Sequence, residues 1–357
     1  MKRILYVAFP IVAVTASVAG GAEQMLWTLE QEMAERRRRT TVAACAGSEV
    51  AGKLLVTGSE PETTDAFEER RAEHERAVLS EIRRASENGS PFDLVHDESG
   101  HFWRHARDLD VPVLATLHLP RSFYPAAAFE SVPPNVFFNC VSESQLATFS
   151  DVPQVLGAIG NGIRIADFPP PSSQRDDYLL WVGRICEEKG AHVAIEVAER
   201  AGLPLVIAGR VHAYSYHQDY YQREIAPRID GRGVRFVDSP SFWEKLKLLR
   251  HARTVLVPSL VEETSSLVAM EAGACGTPVI GFRRGAIPEI VQEGVTGFVV
   301  NSAEEMIDAI PRTGEIDPED SRDHIKRNFS AARMADDYER MYERILGTAA
   351  AKERAAA

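Results

Sequence analysis

What most constrains this chain is an alternation. Short, unbroken apolar runs are separated by longer amphipathic stretches, over almost the whole length. A run with no polar skip is buried on both faces, as a strand of a parallel sheet is when helices cover it above and below. In the first half the runs fall at Arg3–Phe9, Thr41–Ala46, Leu54–Val56, Phe92–His96, Val113–Leu117 and Asn135–Val141. Helices are expected at Glu23–Arg38 and, long and charged, at about Thr63 to Glu87. The pattern predicts an α/β, doubly wound domain.

The alternation is interrupted once. Phe168-Pro169-Pro170-Pro171-Ser172-Ser173-Gln174-Arg175-Asp176-Asp177 is polar, proline-rich and without period, which reads as a linker. Strands then resume at Tyr178–Val182, Leu205–Ala208, Val234–Val237, Thr254–Val257, Pro278–Gly281 and Gly297–Val300. Helices are expected at His192–Ala201, Tyr220–Ile229, Phe242–His251 and Ser302–Ile310. A last amphipathic helix, Ala331 to Leu346, precedes a tail expected to fray, Thr348 to Ala357. The division is thus 1–167, a linker 168–177, and 178–330, with the helix at about 331–346 completing the first domain. Two Rossmann-like doubly wound domains predict ligand binding in a cleft facing the carboxyl ends of both sheets.

The N-terminus has two readings. Met1-Lys2-Arg3, the apolar Ile4–Val14 and Ala16-Ser17-Val18-Ala19 imitate a signal peptide. Against this, Pro10 interrupts the apolar segment, and Gly20-Gly21 followed by a helix makes a strand–loop–helix unit that needs Arg3–Phe9 as its strand. The strand is the favoured reading. At 357 residues with a net charge of −12, the chain has length for two domains and an acidic balance that disfavours nucleic acid. No apolar run approaches the roughly 20 residues that span a bilayer. Cys45, Cys140, Cys186 and Cys275 form no C-x-x-C pair, which fits small buried side chains in a reducing, cytoplasmic compartment.

Neither G-x-G-x-x-G nor G-x-x-x-x-G-K-[ST] occurs after a strand, so dinucleotide and P-loop binding lack their fingerprints. The chemistry gathers elsewhere. After the strand ending at Pro258, a loop carries Glu263, and a helix is expected to start near Thr264-Ser265-Ser266, with Glu271 about two turns inside it. Hydroxyls there can cap free amides, and a helix start favours phosphate. Carboxylates suit sugar hydroxyls through charge-assisted hydrogen bonds. Gly183-Arg184 and Lys189-Gly190 follow the first strand of the second half, placing two cations where a diphosphate can be neutralised. Taken singly, each is also an ordinary solvated charge.

Together, Gly183-Arg184…Lys189-Gly190, Glu263-x7-Glu271-Ala272, Gly276-Thr277-Pro278-Val279, Gly285-x-x-Pro288-Glu289-Ile290-Val291 and Gly294-x-x-Gly297 resemble, in order, the signature of glycosyltransferase family 4. Gly20-Gly21-Ala22-Glu23 resembles its N-terminal glycine loop. Thr116-Leu117-His118 resembles its strand-end histidine, and Val141-Ser142-Glu143-Ser144 and Asn161-Gly162 resemble two later landmarks. Tyr221–Arg228, with Asp93–His96, is similar to a subset resembling antibiotic-pathway enzymes of avilamycin type.

The resemblance implies a GT-B fold and a retaining, metal-independent transfer from a nucleotide sugar, such as a UDP- or GDP-sugar, with no cofactor. It implies that Arg184 and Lys189 hold the donor diphosphate, Glu263 the sugar hydroxyls and Glu271 the ribose. The amides of Thr264, Ser265 and Ser266 cradle phosphate and sugar, and His118 faces the transferred sugar. Gly20 and Gly21 let their loop pass close to the donor, with Glu23 and Gly183 beside it. The acceptor is a hydroxyl of a sugar, a small metabolite or a lipid-linked glycan.

Departures from the pattern are plain. Thr264-Ser265-Ser266 stands where Pro-Phe-Gly is usual, and Glu262 beside Glu263 leaves the register open by one. Arg36-Arg37-Arg38-Arg39 replaces a Gly-His, and reads as a helix C-terminus or as a patch for weak peripheral contact with anionic lipid. Val211–His217 reads as loop packing or as a rim of the nucleotide site. His96, His101 and His105 show no clear metal-binding face, and Asp108-Leu109-Asp110 reads as a turn. No base–nucleophile pair is evident, which suits front-face transfer: the departing phosphate takes the acceptor proton. A phosphorylase, a sugar-nucleotide epimerase and a non-catalytic nucleotide-sugar binder are the alternatives.

Overall fold

The computed structural model describes residues 2–16, 20–61, 66–172 and 174–356. The chain forms two compact units, Met1–Gly162 with Ala331–Ala357, and Ile163–Ser330.

The first unit runs β1 (Arg3–Val7), α1 (Gly21–Glu35), β2 (Arg39–Ala44), β3 (Lys53–Val56), α2 (Phe67–Glu87), β4 (Leu94–Asp97), β5 (Val113–Leu117), β6 (Val136–Cys140), α3 (Glu143–Ala147) and β7 (Val155–Ala158). Its sheet has the order β3-β2-β1-β4-β5-β6-β7, parallel at each pairing. Leu5 and Val7 of β1 and Val95 of β4 lie in a core with Phe102, Trp103 and Phe138. The N-terminal segment is therefore a central strand, paired on both sides. Ser17 to Ala19, of the signal-peptide reading, lie outside the described residues, as does the expected start of α2 near Thr63.

The second unit runs β8 (Leu179–Arg184), α4 (Ala191–Ala201), β9 (Leu205–Arg210), α5 (Ser215–Tyr220), β10 (Val234–Asp238), α6 (Phe242–His251), β11 (Thr254–Val257), α7 (Leu267–Ala274), β12 (Val279–Phe282), α8 (Ile287–Ile290), β13 (Gly297–Val300), α9 (Ala303–Ala309) and α10 (Pro318–Asn328). Its six strands are ordered β10-β9-β8-β11-β12-β13. The last helix, α11 (Ala331–Ala356), belongs to the first unit.

Several expectations need correction. The expected linker 168–177 packs into the second unit, whose boundary falls at Ile163. Phe168 is buried in that unit's core, Arg175 reaches the Gly276 carbonyl, and Arg322 donates to the carbonyls of Ile165, Phe168 and Pro169. Arg322 of α10 thus satisfies carbonyls at the start of the proline run. The tail does not end the helix near Leu346; α11 continues to Ala356, as its Ala/Lys/Glu/Arg composition favours. The helix expected at Tyr220–Ile229 is α5 followed by a π-turn at Tyr221–Ile225 and a 3-10 turn at Ala226–Arg228, since Pro227 cannot continue an α-helix. The apolar Val155–Ala158 was missed as β7 because it is short and contains Gly157.

The arginine run is partly absorbed by the fold. Arg36 pairs with Asp336 at 2.5 Å and Glu339 at 2.9 Å, and Arg38 pairs with Glu339 at 2.6 Å, which ties the end of α1 to α11.

His74 on α2 is buried, and its Nδ1 lies 2.7 Å from the Thr57 hydroxyl. Burial, with the Arg70 charge beside it, pushes the imidazole down from 6.5 to about 4. As pH falls below 6.5 the unfolded chain therefore takes the proton first and the fold loses stability until about pH 4. His74→Gln has no such proton to bind. Unfolding midpoints of both proteins should converge, or cross in favour of the variant, between pH 6.5 and 4, over a range worth about 3 kcal/mol. A gap independent of pH would refute it.

Candidate active site

In an open parallel sheet, ligands bind beyond the carboxyl ends of the strands, where the strand order reverses. In the second unit that point lies between β8 and β11, and the residues following these two strands are those the sequence singled out. Gly183 and Arg184 end β8, and Lys189 lies in the turn beyond it. Lys189 Nζ stands 2.6 and 2.8 Å from the two carboxylate oxygens of Glu263, in the loop after β11. Ser259 Oγ donates to the same carboxylate. Glu263 is only 8% exposed. An ammonium has three donors; two serve Glu263, and one remains for another anion.

Two glycines hold these loops together. Gly190 has φ +69°, and a Cβ there would lie 2.1 Å from the Pro258 carbonyl. Gly285 has φ +51°, and its Cβ would lie 2.1 Å from the Glu263 carbonyl. Ala286 N–H donates to that carbonyl at 2.7 Å, so the Gly285–Glu289 motif clamps the backbone of Glu263. The Glu262 carboxylate is exposed and accepts from Gly285 N–H at 2.5 Å. Of the two neighbouring carboxylates, Glu263 is the buried one and stands beside Lys189.

Helix α7 begins one turn beyond, capped by Ser266, whose hydroxyl accepts from Ala269 N–H at 3.3 Å. Glu271 is thus little more than one turn inside the helix, rather than two. It is 1% exposed and pairs with Lys245 of α6 at 2.7 Å. Lys245 was missed in the sequence because nothing in its spacing links it to α7. The Ser265 hydroxyl is buried without a hydrogen-bond partner among the described residues. Arg184 is half-exposed and lies 3.9 Å from Glu188.

In the first unit the order reverses between β1 and β4. Gly20 caps α1, with Glu23 in its first turn; a Cβ on Gly20 would meet the buried Glu23 carboxylate. Beyond β5, His118 Nε2 stands 2.5 Å from Glu98 Oε2, and Glu98 follows β4 directly. Glu98 Oε1 lies 3.0 Å from His96 Nε2. His96 Nδ1 lies 2.8 Å from the Tyr342 hydroxyl. Burial works to raise the Glu98 carboxyl, but His96 and the hydrogen bond from His118 outweigh it and hold it below the usual range. Burial lowers His96, against the pull of Glu98. A neutral His96 with Nε2–H toward the Thr116 hydroxyl at 2.7 Å, and Nδ1 accepting from Tyr342, satisfies both hydrogen-bond partners, with Glu98 alongside. Beside it, burial pushes the Asp97 carboxyl up to about 6, against hydrogen bonds from Ser99 and Trp103.

The Ser142–Ser144 landmark also has a purpose here. Gln145 Nε2 donates to the carbonyls of Leu117 at 2.7 Å and Leu119 at 2.9 Å, holding the backbone on both sides of His118. His101 and His105 turn to Arg104 and Glu75, away from His96.

Residues 176–313 match the family described as glycosyl transferases group 1. The matched stretch lies within the second unit. A D-inositol 3-phosphate glycosyltransferase of Corynebacterium efficiens is 26% identical over 318 residues, 74% of this chain and 73% of that protein. The chain spans 42% and 64% of two other proteins of that name. Among solved structures, AviGT4, a glycosyltransferase involved in avilamycin A biosynthesis, is 21% identical with a TM-score of 0.70, over 98% of this chain and 99% of that one. Anabaena HepE, in complex with UDP and glucose, is 16% identical with a TM-score of 0.74, over 96% of this chain and all of that one. These likenesses carry the GT-B fold, and the matched domain and the relatives support glycosyl transfer from a nucleotide sugar. No described helix of the chain is long and apolar enough to cross a membrane.

Proposed function

We propose that the chain is a retaining glycosyltransferase that moves a sugar from a nucleoside-diphosphate sugar to a sugar-like hydroxyl acceptor by a front-face route. The observation that carries this is the pairing of buried Glu263 with half-buried Lys189 beyond β8 and β11, with α7 starting directly after it. Lys189 fixes the Glu263 carboxylate to accept from donor-sugar hydroxyls and turns its remaining donor to the diphosphate. Arg184 adds a second cation. The Ser265 hydroxyl and the amides around Thr264, Ser265 and Ser266 meet the phosphate oxygens, and Glu271, held by Lys245, receives the ribose hydroxyls. On the first unit, His118 contacts the transferred sugar, and Gly20, Gly21 and Glu23 line the donor loop. The leaving phosphate oxygen takes the acceptor proton, so the protein supplies position and charge and no base of its own. The four buried, unpaired cysteines suit a cytoplasmic protein.

The donor base is read by thermal unfolding with UDP, GDP, ADP, dTDP and NAD in turn. UDP comes first, since HepE holds it. A nucleotide at about 100 times its dissociation constant adds about 2.7 kcal/mol. One diphosphate should raise the midpoint by several degrees and lose that effect in Arg184→Ala. No shift with any of them, with or without an acceptor sugar, would reject the donor site.

A further inference from the structure

Beside the donor loop, three side chains from two elements converge without serving one another fully. Cys186 precedes the turn Glu187–Lys189, Glu188 lies within it, and His217 lies on α5. One donor atom from each, the thiol sulfur, a carboxylate oxygen and a ring nitrogen, lie within 4.8 Å of one another. His217 is fully buried, and neither ring nitrogen has a hydrogen-bond partner among the described residues. Leaving a buried polar group unpaired costs about 1–3 kcal/mol. The rings of Tyr214 and Tyr216 pack edge-on against His217, with centroids at 5.3 and 4.3 Å, and fix the plane of the imidazole without giving its nitrogens a partner.

We infer that Cys186, Glu188 and His217 form a binding site for a zinc-like divalent cation. One soft sulfur, one imidazole and one carboxylate match the ligands zinc prefers, with one position left in a tetrahedron. Ligands at zinc distances stand about 3.3–3.8 Å apart, so the trio closes by roughly 1 Å on binding. The fourth position goes to water or to His212. The His212 Nε2 is likewise buried and unpartnered among the described residues, and its ring centroid lies 6.0 Å from that of His217. The thiol proton leaves to solvent as the sulfur–metal bond forms. The sequence reading expected no metal. Positions 186, 188 and 217 follow no recurring ligand spacing, and only folding brings α5 against the loop after β8. The metal would pin the loop that carries Arg184 and Lys189, and because Glu188 also lies 3.9 Å from Arg184, cation and arginine compete for one carboxylate.

The test uses the whole chain, without a histidine tag and freed of metal by chelation, titrated with Co2+ and with Zn2+ in competition. One Co2+ per chain should bind with a thiolate-to-cobalt charge-transfer band in the near ultraviolet, and Zn2+ should abolish the band. Cys186→Ser, a change of one atom, should remove it. Glu188→Gln and His217→Gln should weaken binding by about tenfold or more. Cys45, Cys140 and Cys275 are buried elsewhere, so Cys140→Ser serves as the control that keeps the band. Absence of a band in the wild type, or a band undiminished in a folded Cys186→Ser, overturns the site. Circular dichroism of each variant shows whether it is folded. The readout involves no donor nucleotide and stands apart from the transfer reaction.

Discussion

Glu263→Gln is expected to cut glycosyl transfer by about 10²–10³-fold, the range seen when one preorganised electrostatic partner is removed from an active site. The substitution keeps the shape and removes the charge. Glu263 is held from three directions: by Lys189 at 2.6 and 2.8 Å, by Ser259, and through its own carbonyl by Ala286 at 2.7 Å. Such a carboxylate loses no freedom when it accepts from a sugar hydroxyl, so its interaction is paid for in advance. The amide loses the charge-assisted bonds to both the lysine and the sugar. Stability should fall by only about 1–3 kcal/mol, because Lys189 is partly exposed and can turn to water. Three measurements separate the causes. Turnover should collapse, the unfolding midpoint should fall by a few degrees, and affinity for the nucleoside diphosphate, which lacks the sugar, should change little. Near-wild-type turnover would remove Glu263 from the reaction. Equal losses of diphosphate affinity and turnover would assign it to phosphate binding instead.

The sheets were legible because a strand buried on both faces leaves an uninterrupted apolar run; Val113–Leu117 and Thr254–Val257 have the expected bounds. The meeting of the Lys189 and Glu263 loops was legible for a related reason. Gly190 and Gly285 are needed where one backbone passes close to another, and such positions stand out in sequence at fixed offsets from Lys189 and Glu263. What stayed hidden are partners that touch only across elements. Lys245 meets Glu271 from α6, and Glu98 meets His118 from the neighbouring strand end. Lysines and glutamates are common at surfaces, and neither position has a periodicity or spacing that marks it as inward. The segment 168–177 misled for the opposite reason: its composition is that of a linker, but Arg322, 153 residues away, satisfies the Pro169 carbonyl.

Glu98 carries the second large expectation. Glu98→Gln should lower transfer by about 10²-fold, the loss expected when a contacting group is misplaced by about 1 Å, although Glu98 is proposed to touch no substrate. It acts through His118. With one oxygen it accepts from His118 at 2.5 Å, and with the other it lies 3.0 Å from His96. The charge therefore fixes the ring of His118, with Nε2 toward the carboxylate. An amide oxygen can still accept from His118, but without the charge the bond is weaker, and with the NH2 end turned to the ring it is broken. Because Glu98 is buried, the substitution will also cost stability, and lost activity alone would not separate positioning from damage to the fold. A double-mutant cycle does. If Glu98 works by orienting His118, Glu98→Gln should cost much less in a His118→Ala background than in the wild type, because the ring it orients is gone. If Glu98 only supports the core, the two losses should multiply, and the unfolding midpoint should account for the loss in each variant. A multiplicative result would confine Glu98 to structure and turn attention to Gln145, which holds the backbone around His118 through the carbonyls of Leu117 and Leu119.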